Sequence, residues 1–229
     1  MPDTSRTVKL IVFDLDDTLI SEWQHALSGY AAVAEAFAHE LQPPFDLVER
    51  MVRHYRTGDR GRVFNAVLAD LGRTDADVLV PKMVEVYRTH ESDIELFPDA
   101  EAALTRLRAG HMLGVLTDGP VEKQQAKIEA LGLADRVDHV VLTGQWGQAY
   151  WKPHERGYRW FEEACGLSGS ACAYVANDVS KDFIAPNRLG WQTIMVDRPE
   201  NLMKHPTPAP GGRPQCVIRT LDQLESILQ

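Results

Sequence analysis

The sequence predicts an α/β fold in which a parallel β-sheet core is interrupted early in the chain by an all-helical insert. Three observations lead to this prediction. From Pro98 onward, strand-sized apolar runs alternate with helix-sized amphipathic segments, as they do when helices connect parallel strands. The stretch from Ser21 to Leu96 has helical periodicity and no strand pattern. The first strand candidate is almost continuously apolar, which is typical of a strand buried on both faces of a parallel sheet.

The first strand candidate lies within Val8–Leu19, VKLIVFDLDDTL, and ends in a cluster of acids. The apolar run leads into Asp14, Asp16, Asp17 and Thr18. Open α/β sheets bind ligands just beyond the carboxyl ends of their strands. Desolvating neighbouring carboxylates is costly unless a cation or hydrogen-bond donors offset their repulsion. Asp14 and Asp16 therefore suggest a metal-assisted nucleophile and proton-transfer pair. A polar turn in which Asp17 or Thr18 caps the next helix is an equal alternative from these residues alone.

The insert is predicted to contain four helices separated by proline and glycine. The helices are Glu22–Glu40, Phe45–Tyr55, Arg62–Leu71 and Ala76–His90. The separating residues are Pro43, Pro44, Gly58 and Gly72.

Helices and strands then alternate to the end of the chain. The predicted helices are Asp99–Ala109, Val121–Leu131, Glu155–Ala164, Lys181–Leu189 and Leu221–Leu228. The predicted strands are Met112–Leu116, His139–Leu142, Ala173–Ala176, Thr193–Val196 and Cys216–Ile218. The segment Pro206–Pro214 reads as a surface loop. The expected division is a core of residues 1–20 and 97–229 with an insert of residues 21–96.

The amino-acid composition limits which binding partners and which cellular location we expect for this protein. The longest apolar runs among the 229 residues are strand-sized, and the first residues lack the apolar stretch of a signal peptide. The formal net charge of −9 argues against binding to nucleic acid or to an anionic membrane. Three cysteines without metal-ligand spacing favour a cytoplasmic location. Monomer and homodimer both stay open, because an apolar helix of the insert could lie in the core or at a dimer interface.

Polar residues also follow the other predicted strands. They are Thr117 and Asp118 after the second strand, Lys152 before the helix that follows the third, and Asp178 and Asp182 after the fourth. A threonine hydroxyl and backbone amides beside a helix start suit a bound anion. Each signal alone has a structural explanation, such as a solvated lysine or a polar turn. Four signals at four strand ends, in this order, together indicate a functional site.

These four segments resemble the four motifs of the haloacid dehalogenase-like (HAD) hydrolase superfamily. The first motif matches Asp14-Leu15-Asp16-Asp17-Thr18, the second Thr117, the third Lys152 and the fourth Asp178 through Asp182. The resemblance covers the whole chain and implies a Rossmann-like core in which the insert is a C1-type helical cap. One position departs from the family pattern, because Asn177 stands where members usually have glycine before the first acid of the fourth motif.

The resemblance implies a role for each acid. Asp14 would be the nucleophile that forms an aspartyl-phosphate, and Asp16 would protonate the leaving alkoxide and then deprotonate the attacking water. Mg²⁺ would be bound by Asp14, the backbone carbonyl of Asp16, and Asp178. Asp182 would be a water-mediated or supporting ligand.

The remaining motif residues would bind phosphate or support the loops. Thr117, Lys152 and backbone amides near Asp118 would bind the phosphoryl oxygens. Lys152 would also keep Asp14 ionised. Asp17 and Thr18 are expected to be structural.

The resulting expectation is a Mg²⁺-dependent phosphatase of a small phosphorylated metabolite, with a sugar phosphate ahead of a nucleotide. Asp16 favours phosphoryl transfer, because dehalogenation does not need this acid. The absence of lysine from Glu22–Glu40 argues against a phosphonatase with a Schiff-base lysine. A phosphomutase and a catalytically idle binding module remain alternatives.

Three groups of residues are candidates for substrate specificity. Trp23, His25 and Tyr30 would line a lid or pack at the junction of core and insert. The arginines at positions 50, 53, 56, 60 and 62 would face solvent or bind a second anionic group. Trp146, Tyr150 and Trp151 would stack on a sugar or base, or pack beneath their loop.

Overall fold

The computed structural model describes residues 8–41, 46–199, 201 and 207–228. Their contacts divide them into two compact units. The smaller unit is the described part of Glu22–Ile94, and the larger unit contains the described residues before and after it. Three residues of the sequence predictions, Pro43, Pro44 and Phe45, lie outside the described residues. The same holds for Pro206, the first residue of the predicted surface loop.

The smaller unit contains four described helices around a hydrophobic cluster of its own. They are α1 (Glu22–Ala36), α2 (Leu47–Thr57), α3 (Val63–Asp70) and α4 (Ala76–Thr89). The cluster includes Met51, Val67, Leu68 and Met83, all of which are buried. The first helix ends before the predicted Glu40, because some hydrogen bonds after Ala36 span three residues rather than four, such as that from Ala38 N–H to Glu35 O.

The larger unit is built on a six-stranded sheet. The strands are β1 (Leu10–Phe13), β2 (Met112–Thr117), β3 (His139–Leu142), β4 (Cys172–Ala176), β5 (Gln192–Val196) and β6 (Cys216–Ile218). Their order is β3-β2-β1-β4-β5-β6, and every neighbouring pair is parallel. This is the strand order of a doubly wound, Rossmann-like sheet. The predicted α/β fold is confirmed.

Strand β1 lies in the middle of this sheet. Phe13 pairs with Val115 of β2 on one side and with Val175 of β4 on the other. All four residues of β1 are fully buried. Because successive side chains of a strand point to opposite faces, both faces of the sheet are covered here. This burial is the reason that the run is apolar without alternation.

Five described helices belong to the larger unit. They are α5 (Pro98–Leu107), α6 (Val121–Ala130), α7 (Arg156–Cys165), α8 (Ile184–Arg188) and α9 (Leu224–Ile227). Most lie within one or two residues of their predicted bounds. Helix α8 begins three residues later than predicted, because Asp178–Asp182 forms a separate turn in which Asp182 N–H donates to Asp178 O at 2.9 Å. Pro186 is accommodated because it lies in the first turn of the short helix.

Aromatic packing fixes the centre of this unit. Tyr158 of α7 makes edge-to-face contacts with Tyr174 of β4 and with Trp191, with ring centroids 5.0 and 5.6 Å apart. Gly114 of β2 lies so close to Phe161 of α7 that a Cβ there would be 2.3 Å from the ring. The missing side chain therefore allows α7 to approach the sheet closely.

Two further findings concern the helices and the cysteines. Among the described helices, none has the length and apolar character needed to cross a membrane. Cys165, Cys172 and Cys216 are free thiols. Burial raises the pKa of Cys172 to about 12, so this thiol stays protonated at neutral pH.

Candidate active site

The structure brings the predicted motif residues to one edge of the sheet. Asp14 follows β1, Thr117 is the last residue of β2, and Asp178 comes two residues after β4. The N–H group of Asp14 donates to the carbonyl of Val175 at 2.9 Å, which joins the ends of β1 and β4. Because β2, β1 and β4 are neighbours and all parallel, their carboxyl ends deliver these side chains to the same place.

The ammonium group of Lys152 lies at the centre of this edge. Its Nζ is 2.6 Å from Asp14 Oδ1 and 2.9 Å from Asp182 Oδ1, and it donates to the hydroxyl oxygen of Tyr174 at 3.1 Å. The lysine side chain is 1% exposed. An ammonium group has three N–H donors; hydrogen bonds to Asp14 and Tyr174 use two of them, and the contact with Asp182 Oδ1 is an ion pair. Tyr174 is a member of the site that the sequence analysis missed.

Two carboxylates share this one ammonium group, and their pKa values move apart. Burial raises the pKa of Asp14 to about 7, although Lys152 opposes the rise. The pKa of Asp182 is lowered despite its burial, because Lys152 and Lys181 both favour the ionised form. Burial opposes ionisation of Lys152 too, but the two carboxylates hold the pKa of its ammonium group well above the usual value. The expected effect of Lys152 on Asp14 is present, but burial outweighs it.

The carboxylate of Asp16 contacts two side chains of helix α6. Lys127 Nζ forms an ion pair with Oδ1, and Gln124 Nε2 donates to Oδ2 at 3.1 Å. The same Gln124 nitrogen also donates to Thr117 Oγ1. Burial opposes the shift, but the ammonium groups of Lys127 and Lys123 hold the pKa of Asp16 below its usual range.

The sequence analysis did not identify Gln124 and Lys127, although a signal was present. They are three positions apart, so they share a face of α6. Ile128 and Leu131 continue that face at the spacing of an apolar stripe. A glutamine and a lysine within such a stripe are buried polar groups that need partners.

The side chain of Asp118 cross-links three loops. Oδ1 accepts hydrogen bonds from Thr143 Oγ1 at 2.8 Å and from the backbone N–H of Lys152 at 3.1 Å. Oδ2 forms an ion pair with Lys181 Nζ at 3.2 Å. Thr143 and Lys181 thereby hold the segments after β3 and β4 against the end of β2. The expected phosphate contact at Asp118 involves its backbone and stays a prediction.

The fourth motif forms a hydrogen-bonded loop. Asp178 Oδ1 accepts from the Ser180 backbone N–H at 2.9 Å and from the Ser180 hydroxyl at 2.6 Å. Asp182 Oδ2 accepts from the backbone N–H of Asp178 at 3.0 Å. Asp182 therefore supports both the loop and Lys152, while Ser180 orients the Asp178 carboxylate.

Backbone contacts hold the end of the first motif. Asp17 is in the left-handed region with φ of 56°, and its carbonyl accepts a hydrogen bond from Asn201 Nδ2 at 3.1 Å. The Thr18 carbonyl accepts from Arg198 Nε at 3.2 Å and from Nη2 at 2.9 Å. The same guanidinium pairs with Asp99 at 2.9 Å. These contacts are consistent with structural roles for Asp17 and Thr18.

Asn177 does not need the backbone freedom of glycine here. Among the described residues other than glycine, only Asp17 has a positive φ. The Asn177 side chain instead lies near the first motif, with Oδ1 3.5 Å from Thr18 Oγ1.

The residues at this edge fit Mg²⁺ by their chemistry. Asp14, Asp178 and the Asp16 carbonyl are hard oxygen donors on segments that follow the neighbouring strands β1 and β4. In the part of the chain that the structure describes, no group of three or more His, Cys, Asp or Glu side chains is arranged around a metal position. The expected set has only two carboxylates, and Mg²⁺ commonly uses one or two with waters and substrate phosphate.

Two of the specificity candidates after the first motif lie inside the smaller unit. Tyr30 is 3% exposed and belongs to its hydrophobic cluster. His25 is buried, with Nδ1 3.1 Å from Ser92 Oγ. The ring of Trp23 lies 5.4 Å from Tyr55. These contacts favour packing for Tyr30 and His25.

Four arginines of the predicted cluster make ion pairs or aromatic contacts. Arg50 pairs with Asp46 at 2.6 Å and Arg53 with Asp70 at 2.8 Å. The guanidinium groups of Arg56 and Arg60 lie over Trp23 and Tyr55, at 5.1 and 4.3 Å from the ring centroids.

The aromatic candidates of the larger unit also have protein partners. The guanidinium of Arg156 lies 4.7 Å from the ring centroid of Trp146 and 4.6 Å from that of Tyr150. Trp151 Nε1 is buried, without a hydrogen-bond partner among the described residues. Stacking on a sugar or base therefore stays a prediction.

A comparison with protein families shows which family this chain belongs to. The profile of the haloacid dehalogenase-like hydrolases matches residues 8–190. The chain belongs to that family. The match extends from the start of the described core through the fourth motif, so the resemblance inferred from the motifs is confirmed and the protein is a hydrolase of this family.

Curated relatives agree with this assignment, and a solved structure shares the fold. Glyceraldehyde 3-phosphate phosphatase from Methanocaldococcus jannaschii is 26% identical, with 82% of this chain and 85% of the relative aligned. Ribulose-1,5-bisphosphate 5-phosphatase from Halopiger xanaduensis is 27% identical, with 83% and 85% aligned. The HAD-hydrolase YfnB from Bacillus subtilis, solved with bound magnesium, superposes with a TM-score of 0.68 over 97% of this chain and 99% of that chain, at 18% identity.

Proposed function

We propose that this HAD-family hydrolase is a Mg²⁺-dependent phosphatase that acts through an aspartyl-phosphate on Asp14. The observation that carries the proposal is the contact between the buried Lys152 ammonium and Asp14. Lys152 Nζ lies 2.6 Å from Asp14 Oδ1 and holds this carboxylate at the carboxyl edge of the sheet. Asp16, two residues further on, supplies a second carboxylate for proton transfer. The chemistry of these two acids suits phosphoryl transfer from an alkyl phosphate.

The substrate class is a small phosphorylated metabolite, with a sugar phosphate favoured over a nucleotide. Support comes from the relatives named as phosphatases of glyceraldehyde 3-phosphate and ribulose 1,5-bisphosphate. The helical unit, inserted directly after the first motif, is proposed to be the cap that selects this substrate. A cytoplasmic location belongs to the same proposal and rests on the cysteine pattern.

In the first half-reaction, a carboxylate oxygen of Asp14 attacks phosphorus and the bond from phosphorus to the alkyl oxygen breaks. The leaving oxygen takes a proton from Asp16, so the alcohol departs neutral. Because Lys127 and Lys123 favour the ionised carboxylate and lower the pKa of Asp16, the protonated form that reacts is the minor one before substrate binds. Lys152 and the hydroxyl of Thr117 bind the phosphoryl oxygens, where negative charge develops.

In the second half-reaction, water attacks phosphorus and the bond to Asp14 breaks. Asp16, now ionised, accepts the proton of that water, and phosphate leaves. The proton on Asp16 is then available to the next leaving group, so the two steps balance.

Mg²⁺, held by Asp14, the Asp16 carbonyl and Asp178, would offset the repulsion between the anionic nucleophile and the anionic phosphate. Ser180 orients the Asp178 carboxylate through two hydrogen bonds to Oδ1.

The test is phosphate release from a panel of sugar phosphates, nucleotides and phosphorylated acids, with Mg²⁺ and with a chelator. We expect Mg²⁺-dependent release by the wild type and loss by more than about 10³-fold in Asp14→Asn. Asp77→Asn is the matched control, because it makes the same aspartate-to-asparagine replacement at an exposed position of the helical unit. This variant is expected to retain activity.

Three other outcomes of this test would contradict the proposal. Activity that survives in Asp14→Asn would disprove the nucleophile assignment. Conversion of a sugar phosphate to its isomer without release of phosphate would identify a phosphomutase. Absence of turnover with every substrate would favour a binding role.

A further inference from the structure

We propose that Gln124 and Lys127 of helix α6 are positioning residues that fix the proton-transfer carboxylate of Asp16 and the hydroxyl of Thr117 relative to each other. This inference rests on the proposed phosphatase function. Neither residue belongs to the four motifs on which the family resemblance was based.

Both oxygens of the Asp16 carboxylate have a donor from α6. Lys127 Nζ forms an ion pair with Oδ1, and Gln124 Nε2 donates to Oδ2 at 3.1 Å. The lysine is fully buried and the glutamine is 2% exposed. Desolvating an ammonium group is costly, and the Asp16 carboxylate is positioned to offset that cost. Asp16 therefore cannot rotate away without leaving Lys127 unpaired.

The contacts also determine the orientation of the Gln124 amide. A carboxylate can only accept hydrogen bonds, so the group that faces Asp16 must be the NH₂ end. Its two hydrogens then serve Asp16 Oδ2 and Thr117 Oγ1. Thr117 thus accepts from Gln124 and keeps its own O–H as a donor.

The Thr117 O–H group makes at most a weak hydrogen bond to the Asp118 carbonyl. The carbonyl oxygen of Asp118 lies 3.5 Å from Oγ1, which is beyond the usual hydrogen-bond length. Gln124 therefore orients the O–H group so that a phosphoryl oxygen can accept from it. One face of α6 thereby aligns Asp16, the acid that protonates the leaving group, with the Thr117 hydroxyl, which donates a hydrogen bond to the phosphoryl group.

The two residues predict different kinetic signatures. Lys127 contacts Asp16, whereas Gln124 contacts both Asp16 and Thr117. The ratio kcat/KM reports the steps up to departure of the leaving group, and kcat also includes hydrolysis of the phospho-enzyme. An alkyl leaving group needs protonation by Asp16, but the p-nitrophenolate of an aryl phosphate departs without it.

The experiment compares Lys127→Met and Gln124→Met on p-nitrophenyl phosphate and on the best alkyl phosphate of the wild type. For Lys127→Met, we expect kcat/KM to fall about 10²-fold with the alkyl ester and less than about 3-fold with the aryl ester. Its kcat falls with both substrates, and acid quenching traps more phospho-enzyme. For Gln124→Met, kcat/KM falls about 10-fold or more with the aryl ester as well, because Thr117 loses its orientation.

Gln125→Met is the matched control. Gln125 follows Gln124 in α6, but it is exposed and its side chain donates a hydrogen bond to Glu129 instead of to the site. It is expected to behave as wild type. Lys127→Arg retains the charge and serves as the second variant if Lys127→Met does not fold; we expect a smaller loss that is still selective for the alkyl ester.

An equal loss of kcat/KM with both esters in the folded Lys127 variants would overturn the inference and assign Lys127 a structural role. Unchanged kinetics would overturn it too. Failure of the proposed function is a separate result, because it would appear as a wild type that does not hydrolyse phosphate esters.

Discussion

At Asp14, burial and a neighbouring ammonium group act in opposite directions on one carboxyl group. Burial raises the pKa of Asp14 to about 7, even though Lys152 favours its ionised form. Asp182 contacts the same ammonium group and has a lowered pKa. Near neutral pH, the pair is therefore poised between one and two negative charges, and Asp14 is the member that takes up the proton.

This balance predicts that protons compete with Mg²⁺ for Asp14. Because the pKa is raised to about 7, Asp14 is mostly protonated below that pH and ionised above it. The apparent Kd for Mg²⁺ should rise by up to about tenfold for each unit of pH below 7 and stay nearly constant above it. Isothermal titration calorimetry between about pH 5.5 and pH 8.5 measures this dependence.

Asp14→Asn is the control for the pH dependence. It removes the group that titrates, so any remaining Mg²⁺ binding through Asp178 should be weak and independent of pH over the same range. A constant Kd across that range in the wild type would show that Asp14 is ionised throughout.

At the scale of secondary-structure elements, the close contact between β2 and α7 limits the size of the side chain that β2 can carry at Gly114. Gly114 of β2 faces Phe161 of α7, and a Cβ at this glycine would lie 2.3 Å from Phe161 Cε1. Phe161 is fully buried among Tyr158, Tyr174 and Trp191 in one hydrophobic cluster. A shift of the ring would therefore disturb the aromatic packing beneath Lys152.

Gly114→Ala should consequently destabilise the protein by about 1–3 kcal/mol, the usual cost of overpacking a core. Urea denaturation measures this change in the free energy of unfolding. Gly110→Ala is the matched control, since a Cβ at Gly110 has no atom within 4 Å. Equal stability of the two variants would mean that α7 can move away from the sheet at little cost.

At the scale of the whole molecule, the helical unit and the sheet unit each contain a hydrophobic cluster among the described residues. Leu68 belongs to the cluster of the helical unit, and Leu116 belongs to that of the sheet unit. Both side chains are fully buried. Among the described residues, the two clusters have no residue in common. The effects of substitutions in the two clusters on the free energy of unfolding should therefore be independent.

We expect Leu68→Ala and Leu116→Ala each to lower the free energy of unfolding by about 2–5 kcal/mol. The double variant should show the sum to within about 0.5 kcal/mol, as is usual for sites without shared partners. Chemical denaturation of the two single variants and the double variant tests this. A coupling energy well above that margin would indicate that the two sites interact energetically.

Local sequence determined the secondary-structure elements and the four motifs. The apolar run before Asp14 predicts a central buried strand because only a strand covered on both faces lacks polar alternation. The regular alternation after Pro98 predicts parallel strands, since each needs a crossover helix. Strand ends of a parallel sheet meet at one edge, so Asp14, Thr117 and Asp178 could be placed together before the structure was known.

Only the tertiary structure decided which side chains complete the site. Lys127 and Asp16 are 111 positions apart, and Lys152 and Asp14 are 138 positions apart. Contacts over such separations depend on strand order and on how each helix is rotated against the sheet, which local periodicity does not specify. Tyr174 therefore looked like an ordinary core position in the sequence, and the spacing of Gln124 and Lys127 on α6 did not specify their partners. Their partners became evident because buried polar groups need hydrogen bonds, and the fold leaves Asp16, Thr117 and Lys152 to supply them.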